Sequence, residues 1–287
     1  MKWYKTYYFL IPLIILIGFL NYNPQLLFPH SGYVHWGWQC ALLATFFFIM
    51  IIRIRDNIYW KDLLGINFRP KDISIFLFLT VVLLFLSYGL INYILRSNNH
   101  VYKILLIDYN QFDNYKNAPL HVLLSGYLYY IPQTFNEEMI LGALLLHSIK
   151  RKYKSINYIN LSIIVAFVFC IMHQALYRYS PVQPGELLTL ITLISLFLVG
   201  LIRNFLILRT GKIAYSWAIH LSWNLMFFQN FMIQSNGESA SEPRRFNLIL
   251  GDIRVMIFIL VVTSLVILWP KIIKNKNNKT NPALNNV

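Results

Sequence analysis

Residues 74–91 read SIFLFLTVVLLFLSYGLI. Eighteen residues pass without a charge. At about 1.5 Å per residue, that run and its flanks match the ~30 Å hydrocarbon core of a bilayer. Similar runs recur along the chain, beginning with FLIPLIILIGFL at 9–20. Of 287 residues, 57% are hydrophobic and 13% charged, whereas a soluble domain carries about 25% charged residues. The runs are continuous and do not alternate, which excludes a transmembrane β-barrel. The fold class expected is therefore an all-α polytopic membrane protein, a bundle of about eight transmembrane helices.

The eight spans read as about 6–22, 33–52, 73–95, 119–149, 157–177, 185–207, 213–233 and 248–269. The fourth covers 31 residues, or roughly 46 Å as a helix. That is too long for one straight crossing, and Pro132 is predicted to break or kink it. The polar, aromatic stretch before it, 97–119, reads as an interfacial loop or lid. The first run follows Lys2 and Lys5 and lacks a small-residue cleavage site, so it reads as a retained signal-anchor helix.

The formal charge of +14 does not point to nucleic acid. The 25 Lys and Arg are scattered between apolar runs, where they act as topology signals and hold anionic headgroups. With a cytoplasmic N-terminus, 18 of them fall on the inner side, Arg203 among them, and six on the outer side. This excess predicts both termini in the cytoplasm. A composition rich in Asn, Lys and Ile fits a bacterial plasma membrane. Residues 1–273 form one membrane-embedded domain, and the basic tail 274–287 is expected to be disordered and cytoplasmic. Cys40 and Cys170 lie inside apolar runs and read as core residues without a disulfide.

Against this background Glu137 and Glu138 are out of place. They precede the inner basic residue Lys150 by thirteen and twelve positions, which puts them roughly 18–20 Å along the helix from its inner end. A charge at the bilayer centre costs about 2.5–3.5 kcal/mol on insertion scales, so an intramembrane acid marks a functional site. Other polar groups fall at overlapping depth. His173 lies on the fifth span, and His220 and Asn224 share one face of the seventh at i, i+4 spacing. Facing one another across a bundle, these side chains make a wet chamber with acid, base and hydrogen-bond donors. Phe169, one turn before His173, is placed to pack under its ring. His147 reads as a headgroup-facing residue.

The order and spacing of these motifs resemble the CAAX-processing and bacteriocin-processing family of intramembrane proteases, also called the CPBP or Abi family. Its pattern is Glu-Glu followed by Arg, then Phe-xxx-His, then His-xxx-Asn, on separate helices. Here the parts are Glu137-Glu138, Phe169 to His173, and His220 to Asn224, within an Abi-like core of about 119–233. One position departs: Gly142 stands where the family has arginine, and Ala143 follows it. An arginine there would pair with Glu138 one turn away. Arg203 and Arg254 are candidates to replace that cation, although both fall near helix ends.

The resemblance implies an intramembrane endopeptidase acting near the C-terminus or leader of a membrane-associated protein or peptide. Glu137 would activate a water, and His173 would hold and polarise it. His220 and Asn224 would form an oxyanion hole, and Glu138 would orient its neighbour. No cofactor is expected. A zinc site built from two histidines and a glutamate is the less favoured form, since no His-Glu-xx-His helix is present. Two alternatives differ in class: a non-catalytic immunity or partner-binding family member, and a proton- or cation-coupled transporter. The lack of an internal repeat weighs against the transporter.

Overall fold

The computed structural model describes residues 60–104, 125–179, 186–235, 238–239 and 242–280, with positions 11, 12, 14 and 16 of the first apolar run. The span expected at 33–52, Cys40 and most of the expected lid lie outside the described residues.

A short helix, α1 (Trp60–Leu63), precedes α2 (Pro70–Ser97). Pro70 sits in the first turn of α2, where its missing N–H leaves no helical bond unmade. The Asp72 carboxylate accepts from the Arg69 backbone N–H at 2.8 Å and so caps the helix start. Strand β1 follows (Val101–Ile104). Helix α3 (Ser125–Glu137) runs directly into a π-helical segment, Glu138–Leu144, and then into α4 (Leu145–Lys152). Next come α5 (Tyr158–Tyr179) and α6 (Leu190–Thr210). The side chain of Thr189 caps α6 by accepting from Thr192 N, and Gly211 ends it at φ 67°, a conformation that favours glycine. Helix α7 (Ala214–Asn224) continues as a second π segment, Leu225–Asn230, and then as β2 (Phe231–Ser235). β3 (Glu238–Ser239), α8 (Glu242–Ile249) and α9 (Ile253–Thr280) complete the order.

Three of these helices, α2, α5 and α6, are long and apolar enough to cross a membrane. α8 and α9 make a fourth candidate as a broken pair bent by 75°. Their outward surfaces are apolar: Phe85 is 73% exposed on α2 and Leu190 72% exposed on α6. The interior instead holds Thr192, Ser195, Arg203, Asn204 and Ser222, all buried. This distribution suits lipid as the solvent, because polar groups must find partners inside the bundle.

Several expectations need correction. Pro132 lies inside α3 and does not break it, and a π-helical segment begins further on, at Glu138. The seventh span is helical to Asn230 and then turns into a strand. The last span starts at Ile253, after a separate short helix. Part of the expected loop pairs as β1 with β2, antiparallel, with Val101 opposite Gln234 and Ile104 opposite Phe231. β3 extends this small sheet beyond β2. Among the described residues the fold is helical apart from it. α9 runs as helix to Thr280, so the first part of the expected disordered tail is helical and the rest lies outside the described residues.

Cross-links set the depth of each helix against its neighbours. Trp217 Nε1 donates to Thr134 Oγ1 at 3.0 Å, joining α7 to α3. Ser222 Oγ donates to the Thr80 carbonyl at 3.1 Å, joining α7 to α2. Asn204 Nδ2 donates to the Ser162 carbonyl at 2.9 Å, joining α6 to α5. Ser195 Oγ donates to the Leu250 carbonyl at 2.8 Å at the bend between α8 and α9. At the start of α2, buried Asp72 takes Lys212 as ion-pair partner and accepts from the Tyr215 hydroxyl at 3.2 Å. At the other end of α2, Arg254 pairs with Asp252 at 2.6 Å and donates to Ser97 and Asn98.

Candidate active site

Glu137 and Glu138 stand at the junction of α3 and the first π segment. On a regular α-helix adjacent side chains diverge by about 100°. The wider π turn relaxes this, and both carboxylates reach one imidazole. His220 Nδ1 and Glu138 Oε1 are hydrogen-bonded at 3.0 Å. On the other side of the ring, Nε2 is 3.5 Å from Glu137 Oε2. Asn224 Nδ2 approaches the same Nε2 at 3.4 Å. Gln133, one turn before Glu137, donates from Nε2 to Glu137 Oε1 at 3.4 Å. The Trp217–Thr134 bond lies about one turn away from the Glu138–His220 bond along both helices, so two successive links hold α7 in register with α3.

The two carboxylates are only 2% and 1% exposed, too buried for water to compensate them. Glu138 Oε2 has no hydrogen-bond partner among the described residues.

His173 enters from α5. Its Nδ1 is 2.9 Å from the carbonyl of Phe169 one turn earlier, so chemistry in the cavity falls to Nε2. The Phe169 ring packs against the imidazole with centroids 4.2 Å apart, and Phe246 of α8 approaches edge-on at 6.3 Å. These rings hold the imidazole without competing for its protons.

All five residues singled out in the sequence, Glu137, Glu138, His173, His220 and Asn224, line one cavity of about 620 Å³. Its remaining wall is largely apolar, with Phe85 and Tyr93 from α2 and Phe258 and Val262 from α9. Phe85, Tyr93 and Phe258 are each more than half exposed at the lipid-facing edge. The cavity thus joins a charged interior to an apolar mouth between two helices. Among the described residues no three His, Cys, Asp or Glu side chains converge at metal-ligand geometry.

Arg203 counts among the inner topology charges by position and among the candidates for the missing motif cation; it is buried and lines the same cavity, whereas Arg254 pairs with Asp252. The Arg203 guanidinium stacks on the Phe169 ring at 4.3 Å, opposite in role to a loop cation. Besides the missing arginine at Gly142, a further signal is the polar pair Arg203-Asn204 inside an otherwise apolar helix. Gln133 was missed, since a lone glutamine near a helix end carries no distinctive spacing. His147 does not face headgroups: its Nδ1 is 2.8 Å from the Leu63 carbonyl of α1. Cys170 is a buried free thiol that donates to the Leu193 carbonyl.

No curated protein and no solved structure matches the chain. A protein-family model does, over residues 119–226, and its description is Rce1-like, type II CAAX prenyl endopeptidase. That match covers all five of these cavity residues, and over this segment the chain is similar to the CAAX-processing (CPBP) protease family.

Proposed function

We propose that the protein is an intramembrane endopeptidase that hydrolyses a peptide bond near the C-terminus of a membrane-associated protein or peptide, using a water activated by Glu137. The observation that carries this reading is the convergence of Glu137, Glu138, His173, His220 and Asn224 on one cavity with an apolar, lipid-side mouth. The family description supports the substrate class.

Water enters beside Glu137, whose contacts to Gln133 and His220 are 3.4 and 3.5 Å. Both exceed a tight N–H···O bond, and an apo site of this kind closes around its water. The Glu137 carboxylate takes the water's proton as its oxygen attacks the scissile carbonyl. Negative charge moves to the carbonyl oxygen, where Asn224 Nδ2 and His220 donate to it. Glu138 orients the His220 ring through their 3.0 Å bond. His173 Nε2 delivers a proton to the departing amine as the C–N bond breaks. No metal is required by this scheme.

An apolar anchor on the substrate, such as a lipid chain beside the cleaved bond, occupies the mouth between Phe85 and Phe258 and leaves the backbone at the carboxylates. The full chain then forms eight spans with both termini in the cytoplasm of a bacterial plasma membrane. The test is direct. The purified full chain is reconstituted in lipid vesicles with a farnesylated Cys-aliphatic-aliphatic-X peptide and its unlipidated twin. Mass spectrometry detects a released tripeptide. The expected result is cleavage of the lipidated peptide, abolished in Glu137→Gln. Failure to cut either peptide, or equal cutting by Glu137→Gln, overturns the reading.

A further inference from the structure

We infer that Arg203 is a positioning residue of this site: a cation supplied by α6 that balances Glu137 and Glu138 across the gap left at Gly142. Its role in hydrolysis rests on the reading above, whereas the charge pairing does not.

Two unsatisfied groups point to it. Glu138 Oε2 and Arg203 Nη1 are buried side-chain atoms without a hydrogen-bond partner among the described residues. A guanidinium stays charged in proteins, and a buried charge of either sign is costly unless it is compensated. The cavity holds two carboxylates and two imidazoles besides this guanidinium. A single cation of fixed charge among them halves the net charge that the interior must bear.

The geometry brings the two groups to the same helix turn. A Cβ built on Gly142 would lie 3.7 Å from Glu138 Oε2. Arg203 Nη2 donates to the carbonyl of Leu141, the residue just before, at 3.4 Å. Ile207, one turn after Arg203 on α6, would lie 2.7 Å from that same Cβ through its Cδ1. One face of α6 therefore performs two tasks. Ile207 fills the space that a side chain at 142 would need, and Arg203 brings a positive charge to the turn that such a side chain would have served. The stacking of Arg203 on Phe169 adds a mechanical link, because that ring also packs against His173. Moving the guanidinium disturbs both halves of the site.

The departure of Gly142 from the motif then has a physical account. The cation is relocated from the same helix as the glutamates to a neighbouring helix. An intrahelical arginine would lie beside Glu138 whatever the packing, whereas the charge of Arg203 reaches that turn only when α6 is docked on the π segment. The charge balance of this site thus depends on the closed bundle.

A double-mutant cycle tests the pairing without reference to activity. Tm is measured in detergent for the wild type, Glu138→Gln, Arg203→Met and the double variant. If the groups balance each other, each single change lowers Tm, and the double variant recovers at least half of the summed loss. Additive losses, or a double variant as unstable as the worse single, overturn the proposal. Hydrolysis of the farnesylated peptide supplies the second readout. Arg203→Met is expected to lower kcat by about tenfold or more with KM within about twofold. Arg203→Lys retains more activity than Arg203→Met. Returning the cation to the motif position, as Gly142→Arg with Ile207→Ala and Arg203→Met, restores at least a third of the lost rate. A purely structural arginine gives no recovery in that triple variant, which overturns the positioning role. If the wild type does not cut the peptide, the protease reading fails while the Tm cycle still decides the pairing.

Discussion

His220 bridges the two glutamates: its Nδ1 is 3.0 Å from Glu138 Oε1 and its Nε2 is 3.5 Å from Glu137 Oε2. Neighbouring carboxylates on α3 and its π extension thus share one imidazole from α7. Removing the imidazole should damage both stability and chemistry. His220→Ala leaves Glu138 without its one hydrogen-bonded contact to α7, and an unsatisfied buried acceptor costs about 1–3 kcal/mol. The peptidase rate should fall by about 10²–10⁴-fold. Tm and steady-state kinetics on the same preparation check both effects.

Glu137→Gln keeps the shape of the site but removes the proton acceptor. Hydrolysis should drop by about 10²–10⁴-fold while the lipidated peptide still binds. Binding is read by tryptophan fluorescence from Trp223, which lines the cavity. Since the scheme routes no step through a metal, dialysis against EDTA or phenanthroline should leave the wild-type rate within about twofold. A rate that collapses on chelation and returns with zinc would contradict the glutamate-and-water scheme.

Gly200 lets α5 and α6 approach closely: a Cβ there would lie 3.1 Å from both Cα and Cβ of Ala166 and 3.4 Å from the Phe169 ring. Gly200→Val forces the helices apart at a cost of about 1–3 kcal/mol. Because Phe169 supports His173 on one side and Arg203 on the other, activity should fall with Tm. Ala166→Gly added to Gly200→Val should restore part of both, as thermal melts and peptide cleavage would reveal.

The cluster at the start of α2 gives a graded stability prediction. Asp72 is buried and pairs with Lys212, which is 14% exposed at its side chain, and with Arg69, which is 74% exposed. The more exposed partner contributes less, because solvent screens it. Lys212→Ala should therefore lower Tm more than Arg69→Ala. The effect should reach the active site only through α7, whose first turn carries Tyr215 against the same carboxylate. Tm of the two variants, with peptide cleavage as the second measure, tests the order.

Much of the architecture was legible in the residues. The apolar run at 74–91 marks α2, and the expected span of 73–95 lies within the observed Pro70–Ser97. The fifth and sixth spans correspond to α5 and α6 within a few residues. Lipid imposes a long uncharged helix on any crossing segment, so such segments announce themselves. The polar residues that bilayer energetics makes costly were equally visible, because Glu137, Glu138, His173, His220 and Asn224 have no reason to lie at that depth unless they meet.

What stayed hidden depends on neighbours far along the chain. The π segments after Glu137 and Asn224 are changes in backbone pairing that no periodicity marks. The pairing of β1 with β2 joins residues about 130 positions apart, and nothing local encodes it. The sequence offers both Arg203 and Arg254 as substitutes for the motif cation, and only the packing separates them: Arg203 lines the cavity while Arg254 pairs with Asp252. Hydrophobicity and spacing alone thus establish a helical membrane bundle and single out polar residues that converge on one cavity inside it, since both follow from the cost of polarity in lipid. Packing alone decides that Ile207 occupies the space beside Gly142 and that α6 carries a guanidinium to it, since such contacts exist only once the helices have docked.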